Sequence, residues 1–257
     1  MRIVTLIENT SIDPTFTAEH GLSLYLETED KKILFDMGQT DAFAVNGQQM
    51  GLNLAEVDFA VLSHGHYDHG GGLRTFLQYN SNAPVYIHKS AYGEYYNGTQ
   101  KYIGLDPSLS EAPRIVFTEA TQLLTPDMLL SDCNHLPWKY VSFGLNRKDG
   151  AKFLPDDFRH EQYLLITEGE KRILISGCSH KGILNIAECF HPHVLIGGFH
   201  LNKVEEECKL QKIAQRLLAT GTRYYTGHCT GSKQFAILKG VLGEQLQAIS
   251  AGSVIEL

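Results

Sequence analysis

Ser63-His64-Gly65-His66-Tyr67-Asp68-His69-Gly70 directly follows the apolar run Phe59-Ala60-Val61-Leu62 and is itself followed by Gly71 and Gly72. A short apolar run bounded by small and polar residues predicts a buried strand over Phe59–Ser63. Beyond it, three imidazoles and one carboxylate fall within His64–His69. Imidazole and carboxylate together suit zinc, iron or manganese, whereas calcium and magnesium prefer oxygen ligands. Strand-like or turn backbone alternates its side chains, so His64 and His66 can face one ion while Asp68 and His69 serve a second from the following turn. The glycines on both sides free the backbone to close a tight cage. The competing reading is a surface loop that collects histidines by accident.

Outward from this segment, the chain alternates strands and helices. Arg2–Ile7, Gly21–Glu27 and Lys32–Asp36 read as an opening strand meander, Gly70–Tyr79 as a short helix and Val85–His88 as another strand. Ala91–Pro113, rich in Tyr, Gly and Ser, has weak periodicity and is expected as a loop or lid. Tyr163–Thr167 and Arg172–Ser176 form a predicted hairpin around Glu168-Gly169-Glu170, then come a helix in Ile183–Phe190 and a strand over Val194–Gly197. Val204–Thr220 is the clearest helix, with Leu210, Ile213, Ala214, Leu217 and Leu218 on one face and Gly221 ending it. Arg223–Tyr225, a helix within Gly231–Leu242, and strands near Leu246–Ser250 and Ser253–Glu256 close the pattern. No low-complexity linker interrupts it, so residues 1–257 are expected as a single α/β domain. The similar order of elements in the two halves suggests two mixed sheets face to face, flanked by helices. Every histidine-rich segment then follows a strand, where open sheets present their ligand sites.

The composition narrows the function. The 257 residues carry 43% hydrophobic and 20% charged side chains, ordinary for a globular protein. A formal net charge of -7 argues against a broad surface for nucleic-acid backbone. No stretch approaches the apolar length of about 20 residues that a membrane helix requires, and the start lacks the apolar core of a secretory signal. A soluble, cytoplasmic protein acting on a small molecule is the expectation; the oligomeric state is open. Five cysteines without a CxxC pair are expected as reduced thiols.

His64-x-His66-x-Asp68-His69 after an apolar strand, with three glycines behind it, resembles the metallo-β-lactamase superfamily over essentially the whole chain. That resemblance implies an αββα sandwich with metals at one edge of its sheets, and an organising, non-ligating role for Asp36 in Ile33-Leu34-Phe35-Asp36-Met37-Gly38. It also implies two divalent ions, foremost zinc, with manganese or iron as alternatives. His64, His66 and His180 would hold the first ion, and Asp68, His69 and His228 the second. Glu19-His20-Gly21-Leu22-Ser23, Ser176-Gly177-Cys178-Ser179-His180, Gly197-Gly198-Phe199-His200-Leu201 and Thr226-Gly227-His228-Cys229-Thr230-Gly231 further resemble the branch related to dihydropterin-methyl-ribofuranosyl-aminobenzene phosphate synthase.

The chain departs from the superfamily where many members place a bridging aspartate. It has Gly177-Cys178-Ser179-His180 there, and Cys178 reads as a packed cysteine or as a thiolate ligand. His160 lies near another family ligand position, within the approach to the next strand, and reads as a surface residue or a ligand. His20 and His200 are candidates for the substrate side, positioning an anionic group, with His200 also a proton donor and Asp68 a catalytic carboxylate. The alternative is a buried, hydrogen-bonded role for each. Tyr92, Tyr95, Tyr96 and Tyr102 would line an aromatic pocket or serve packing. His88, His135, His191 and His193 match no motif.

Two adjacent cations generate a hydroxide from bound water and neutralise a leaving oxygen, so a hydrolase of a small phosphorylated or ester substrate is the first expectation. A transferase joining a dihydropterin pyrophosphate to an aminobenzene ribotide is the second, and a non-catalytic metal or ligand sensor the third. His66 stands where the oxygen-reducing diiron relatives resemble HxExDH, which disfavours that chemistry. The charge and the lack of an added nucleic-acid domain disfavour a nuclease.

Overall fold

The computed structural model describes residues 1–141 and 143–257. The chain forms two compact units, Met1–Glu119 with Gly144–Gln162 and Ser250–Leu257, and Ala120–Phe143 with Tyr163–Ile249.

In the first unit, β1 (Arg2–Ile7), β2 (Ser23–Glu27), β3 (Lys32–Phe35), β4 (Phe59–Leu62), β5 (Val85–His88), β8 (Ile115–Thr118) and β18 (Val254–Glu256) make one sheet in the order β18-β1-β2-β3-β4-β5-β8. Pairing is antiparallel from β18 to β3 and parallel from β3 to β8. The four residues of β4 are all buried, as a strand parallel to both neighbours must be. Phe43 of helix α1 (Ala42–Gln49) shares one buried core with Leu6, Leu34 and Leu62 and with Leu73 and Phe76 from α3 (Leu73–Tyr79). Each such aliphatic or aromatic side chain contributes about 1.5–3 kcal/mol when withdrawn from water. The expected helix over Gly70–Tyr79 is split: α2 (Tyr67–Gly70) is one turn, and the chain re-enters helix only at Leu73.

Ala91–Pro113 is more ordered than the lid reading predicted. It contains β6 (Tyr95–Asn97) and β7 (Lys101–Tyr102), which join β11 (Leu145–Asp149) and β12 (Lys152–Pro155) in a four-stranded sheet. Ile103, Leu105 and Leu109 are buried, so this stretch is anchored by apolar contacts that its low periodicity concealed.

In the second unit, β9 (Thr121–Thr125), β10 (Met128–Ser131), β13 (Tyr163–Glu168), β14 (Lys171–Ile175), β15 (Val194–Ile196), β16 (Arg223–Thr226) and β17 (Leu246–Ala248) form a sheet in the order β17-β16-β15-β14-β13-β10-β9. Its β9-to-β14 half is antiparallel and its β14-to-β17 half parallel, so each unit has a mixed sheet of similar plan. The β13–β14 hairpin matches the predicted one. Helices α4 (Ile183–Phe190), α5 (Glu207–Ala219) and α6 (Ser232–Leu242) flank this sheet. Leu210, Ala214 and Leu217 of α5 bury the apolar stripe that the spacing predicted, and Gly221, at φ +72, follows the helix where a left-handed residue is needed.

Candidate metal centre

Both sheets deliver their polar loops from the carboxyl ends of parallel strands, the place where open α/β sheets bind ligands. In the first unit, β3 ends at Asp36 and β4 at Ser63-His64. Asp36 takes a left-handed φ of +58, an uncommon conformation that the fold holds by a bond from its N–H to the Val61 carbonyl, 3.0 Å. Gly65 is required by close approach: a Cβ there would lie 2.1 Å from the Ala91 carbonyl oxygen.

Asp36 is fully buried and organises the histidines. Its Oδ1 accepts the Ser63 N–H at 2.7 Å and its Oδ2 accepts the Ser63 hydroxyl at 2.7 Å. His69 Nδ1 lies 2.6 Å from Oδ2 and donates to the carboxylate. The Ser63 hydroxyl has one proton, already directed at Asp36, so the 2.8 Å contact with His64 is a donation from His64 Nδ1 to Ser63 Oγ. Both rings therefore carry their lone pair on Nε2, the arrangement in which a second partner sets the tautomer of a ligating imidazole. The His64 ring centroid lies 4.2 Å from that of His69 and 4.5 Å from that of His66, gathering three imidazoles in a buried cluster. Asp68 is buried in the following turn, its Oδ2 3.2 Å from His20 Nε2 and 3.9 Å from His69 Nε2. His20 itself is exposed.

Beneath this cluster lies a second group, in which sequence reasoning had singled out His160 and missed Asp156. Asp156, His160 and His66 each place a ligand atom within 4.8 Å of the others. The Gly65 N–H donates to His160 Nδ1 at 2.9 Å, which puts the ring proton on Nε2, and Nε2 donates to Asp156 Oδ2 at 3.1 Å. His160 is fully buried and so is not a surface residue; its Nδ1 holds the Gly65 loop and its Nε2 faces Asp156. Gln162 pins the same segment, donating its N–H to the Ser63 carbonyl and its amide to the Leu62 carbonyl, each at 2.8 Å. For Asp156 the i,i+4 spacing to His160 was the available signal, but nothing local tied it to His64–His69. Burial alone would push the Asp156 carboxyl up; the adjacent His160, which donates a hydrogen bond to it, the nearby His66 and the Phe158 N–H outweigh that and hold it below the usual range. Burial, reinforced by His160 and opposed by Asp68 and Asp156, pushes the His66 imidazole down to about 3. His66 is thus neutral at ordinary pH, the form a metal requires.

In the second unit, β14, β15 and β16 run parallel and end in Gly177-Cys178-Ser179-His180, Gly197-Gly198-Phe199-His200 and Gly227-His228-Cys229. Each loop contains one non-glycine residue in the left-handed region: Ser179 at φ +58, His200 at +49 and His228 at +47. Strain at three adjacent strand ends is typical of functional loops. His180 and His228 are buried, and the His180 and His200 ring centroids are 4.2 Å apart. Cys178, His200 and Cys229 each offer a donor atom within 4.8 Å of the others. Burial alone would push the Cys229 thiol up; the adjacent Cys178 and His200 side chains and the neighbouring His228 outweigh it and hold the thiol well below its usual range. His180 and His200 also line a cavity of about 240 Å³, with Phe199 and Phe143 in its wall and Lys139 and Lys209 among its lining cations.

The tyrosines serve packing. The Tyr95 hydroxyl donates to the Ser90 carbonyl at 2.6 Å while its ring lies 4.0 Å from His160, and Tyr102 donates to the Leu105 carbonyl at 2.9 Å. Tyr96 lies edge-on to Tyr102 and Phe153, and Tyr92 packs on the first unit's core. His88 and His193 accept main-chain N–H groups of Ser90 and Arg172 and have structural roles.

The donors fit divalent ions by chemistry: neutral imidazoles with assigned tautomers, a carboxylate beside them, and thiols in the second unit.

Comparison with known proteins agrees. The sequence profile of the metallo-beta-lactamase superfamily matches residues 16–181. An uncharacterized protein of Methanocaldococcus jannaschii is 32% identical over 240 residues, 90% of this chain and 91% of that one. The 7,8-dihydropterin-6-methyl-4-(beta-D-ribofuranosyl)-aminobenzene-5'-phosphate synthase of the same organism is 26% identical, covering 100% of this chain and 96% of its own. Among solved structures, Tm1679, described as a metal-dependent hydrolase of the beta-lactamase superfamily, superposes with a TM-score of 0.85 at 30% identity, over 100% of this chain and 99% of its own. The HxHxDH loop, its buried Asp36 anchor and these full-length likenesses converge: the chain belongs to the metallo-β-lactamase superfamily.

Proposed function

We propose that this protein is a metal-dependent hydrolase of a small phosphorylated or ester substrate. The observation that carries the reading is the Asp36–Ser63 network, which sets the tautomers of His64 and His69 so that each directs an Nε2 lone pair away from its anchor. Such preorganisation is what a metal ligand needs and what a merely packed histidine does not. His64, His66, Asp68 and His69, with His180 and His228 as the family resemblance implies, are the proposed ligands of two divalent ions, foremost zinc. Bound divalent cations lower the pKa of a coordinated water and neutralise charge on the leaving oxygen. Asp68 orients the attacking water, assisted by its contact with His20. His200, on the wall of the second unit's cavity, positions the substrate and supplies a proton to the leaving group. The likeness to Tm1679 supports the hydrolytic reading.

The test is turnover of phosphomonoester, phosphodiester, lactone and thioester substrates with zinc, manganese or iron, in wild type and His64→Ala. Hydrolysis that disappears in His64→Ala is expected. No turnover with any metal would sink the reading.

One observation favours a second reading, a transferase: the similarity to the dihydropterin-aminobenzene phosphate synthase runs the full length of this chain. Formation of a joined product from a dihydropterin pyrophosphate and an aminobenzene ribotide would establish it, and absence of product at high enzyme would remove it.

A further inference from the structure

The second unit carries a donor set that the histidine ligands do not exhaust. Cys178 follows β14, His200 follows β15 and Cys229 follows β16, so three neighbouring parallel strands deliver them to one sheet end. Cys178 and Cys229 are buried, and their sulfurs lie within 4.8 Å of each other and of a ring nitrogen of His200. The His200 main-chain N–H approaches Cys229 Sγ at 3.2 Å, and the Cys229 thiol is directed at the Cys178 carbonyl, 3.5 Å away. Room for the Cys229 sulfur is made by Gly198, where a Cβ would lie 2.4 Å from it. Both ring nitrogens of His200 are shut off from solvent, and neither makes a hydrogen bond among the described residues. Simple packing of two small thiols accounts for neither the glycine cradle nor an imidazole left in that state.

We infer that Cys178, His200 and Cys229 form a thiolate-containing metal site for a thiophilic ion, Zn²⁺ or Cu⁺. Two sulfurs and one imidazole select such ions over magnesium, calcium and manganese, and three protein ligands leave a fourth position open. Binding converts each thiol to a thiolate, with its proton released to solvent, and involves no change of oxidation state. An ion held here occupies His200, so in that form the imidazole is a ligand and is withdrawn from the proton-donor role proposed above. The site stands on its own donor set and does not depend on the hydrolase reading.

The experiment strips the full-length protein with a chelator under reducing conditions and reloads it with cobalt(II) as a spectroscopic stand-in for zinc. Wild type is expected to show sulfur-to-cobalt charge-transfer absorption in the near ultraviolet, reduced at least about fivefold in both Cys178→Ser and Cys229→Ser and weakened in His200→Asn. X-ray absorption on zinc-loaded wild type needs no variant and should show a sulfur shell near about 2.3 Å beside the shorter nitrogen and oxygen shell. A nitrogen and oxygen shell alone would overturn the proposal, as would a Cys178–Cys229 disulfide in the reduced preparation. So would charge-transfer absorption lost in Cys178→Ser but retained in Cys229→Ser, since one thiolate would then serve another centre. Turnover in the substrate panel is read separately: a missing sulfur shell with hydrolysis intact sinks this inference and leaves the proposed function standing.

Discussion

Asp36 accepts hydrogen bonds from Ser63 and His69 and, through Ser63, orients His64. Asparagine keeps its shape but replaces one carboxylate oxygen with a donor, which at the Oδ1 position opposes the Ser63 N–H and at the Oδ2 position meets both the Ser63 hydroxyl and His69 Nδ1. Asp36→Asn is therefore expected to weaken metal affinity by about 10–100-fold, the usual cost of losing an outer hydrogen-bond partner; chelator competition measures it, and unchanged affinity would refute the tautomer argument. His66 makes a pH prediction. Its imidazole is held down to about 3, against 6.5 for an unperturbed histidine. Between those values the unfolded chain binds the extra proton, so this contribution to stability is present above about pH 6.5 and is lost as pH falls toward 3, at up to about 1.4 kcal/mol per unit. Urea unfolding of metal-free protein at pH 7, 5.5 and 4.5 should show this slope, and His66→Asn should flatten it; equal slopes would contradict the assignment. The ligand cluster was legible because its chemistry is compressed into His64–His69. Asp156 was not, and His160 was read only from its place in the family pattern as a ligand or a surface residue, because both lie more than 80 residues further along and only the fold carries them beneath Gly65.

The elements that sequence patterning found are those whose burial is uniform. β4 and β15 are wholly apolar, β13 and β14 bury the apolar runs Tyr163–Ile166 and Ile173–Ile175, and α5 repeats Leu210, Ala214 and Leu217 on one face. The pattern failed between residues 114 and 155, where five strands form from sequences such as Thr121–Thr125 and Leu145–Asp149, with mostly half-buried or exposed positions. Their ladders are set by neighbouring strands more than by their own side chains. Helix α1 was missed for a related reason: Ala42–Gln49 includes Asn46 and Gly47, and Asn46 is buried because its amide donates to the Leu6 and Thr17 carbonyls. The predicted start of α5 at Val204 was three residues early. Val204 packs into the core before the helix, and the helix begins at Glu207, where an acidic side chain faces the positive end of the dipole. Leu210 on this helix is fully buried against the second sheet, so Leu210→Ala should cost about 2–5 kcal/mol. Denaturant unfolding measures this; a loss below about 1 kcal/mol would mean that α5 is not held by its apolar stripe.

At the scale of the molecule, the expectation of mixed sheets flanked by helices holds, and the repeated half-antiparallel, half-parallel plan explains why both halves end strands in histidine loops. The buried donors have an energetic consequence. Neutral imidazoles, thiols and a carboxylate withdrawn from water cost free energy that bound ions offset, so metal should act as a stabilising ligand of the native state. For each independent site, stabilisation follows RT ln(1 + [L]/Kd), about 2.7 kcal/mol at a free metal concentration of 100 Kd. A gain of that size raises the melting temperature of a chain this long by about 2–4 °C per kcal/mol. Chelator-stripped protein should therefore melt at least about 5 °C below the zinc-loaded form, with the gap closing as zinc is titrated back. His64→Ala should lose part of this shift while keeping a metal-free melting temperature close to wild type's, because the fold without the ion rests on the apolar cores. Identical melting curves with and without zinc, at a concentration that saturates the protein by elemental analysis, would show that the ion binds folded and unfolded chain alike and would refute a preorganised centre.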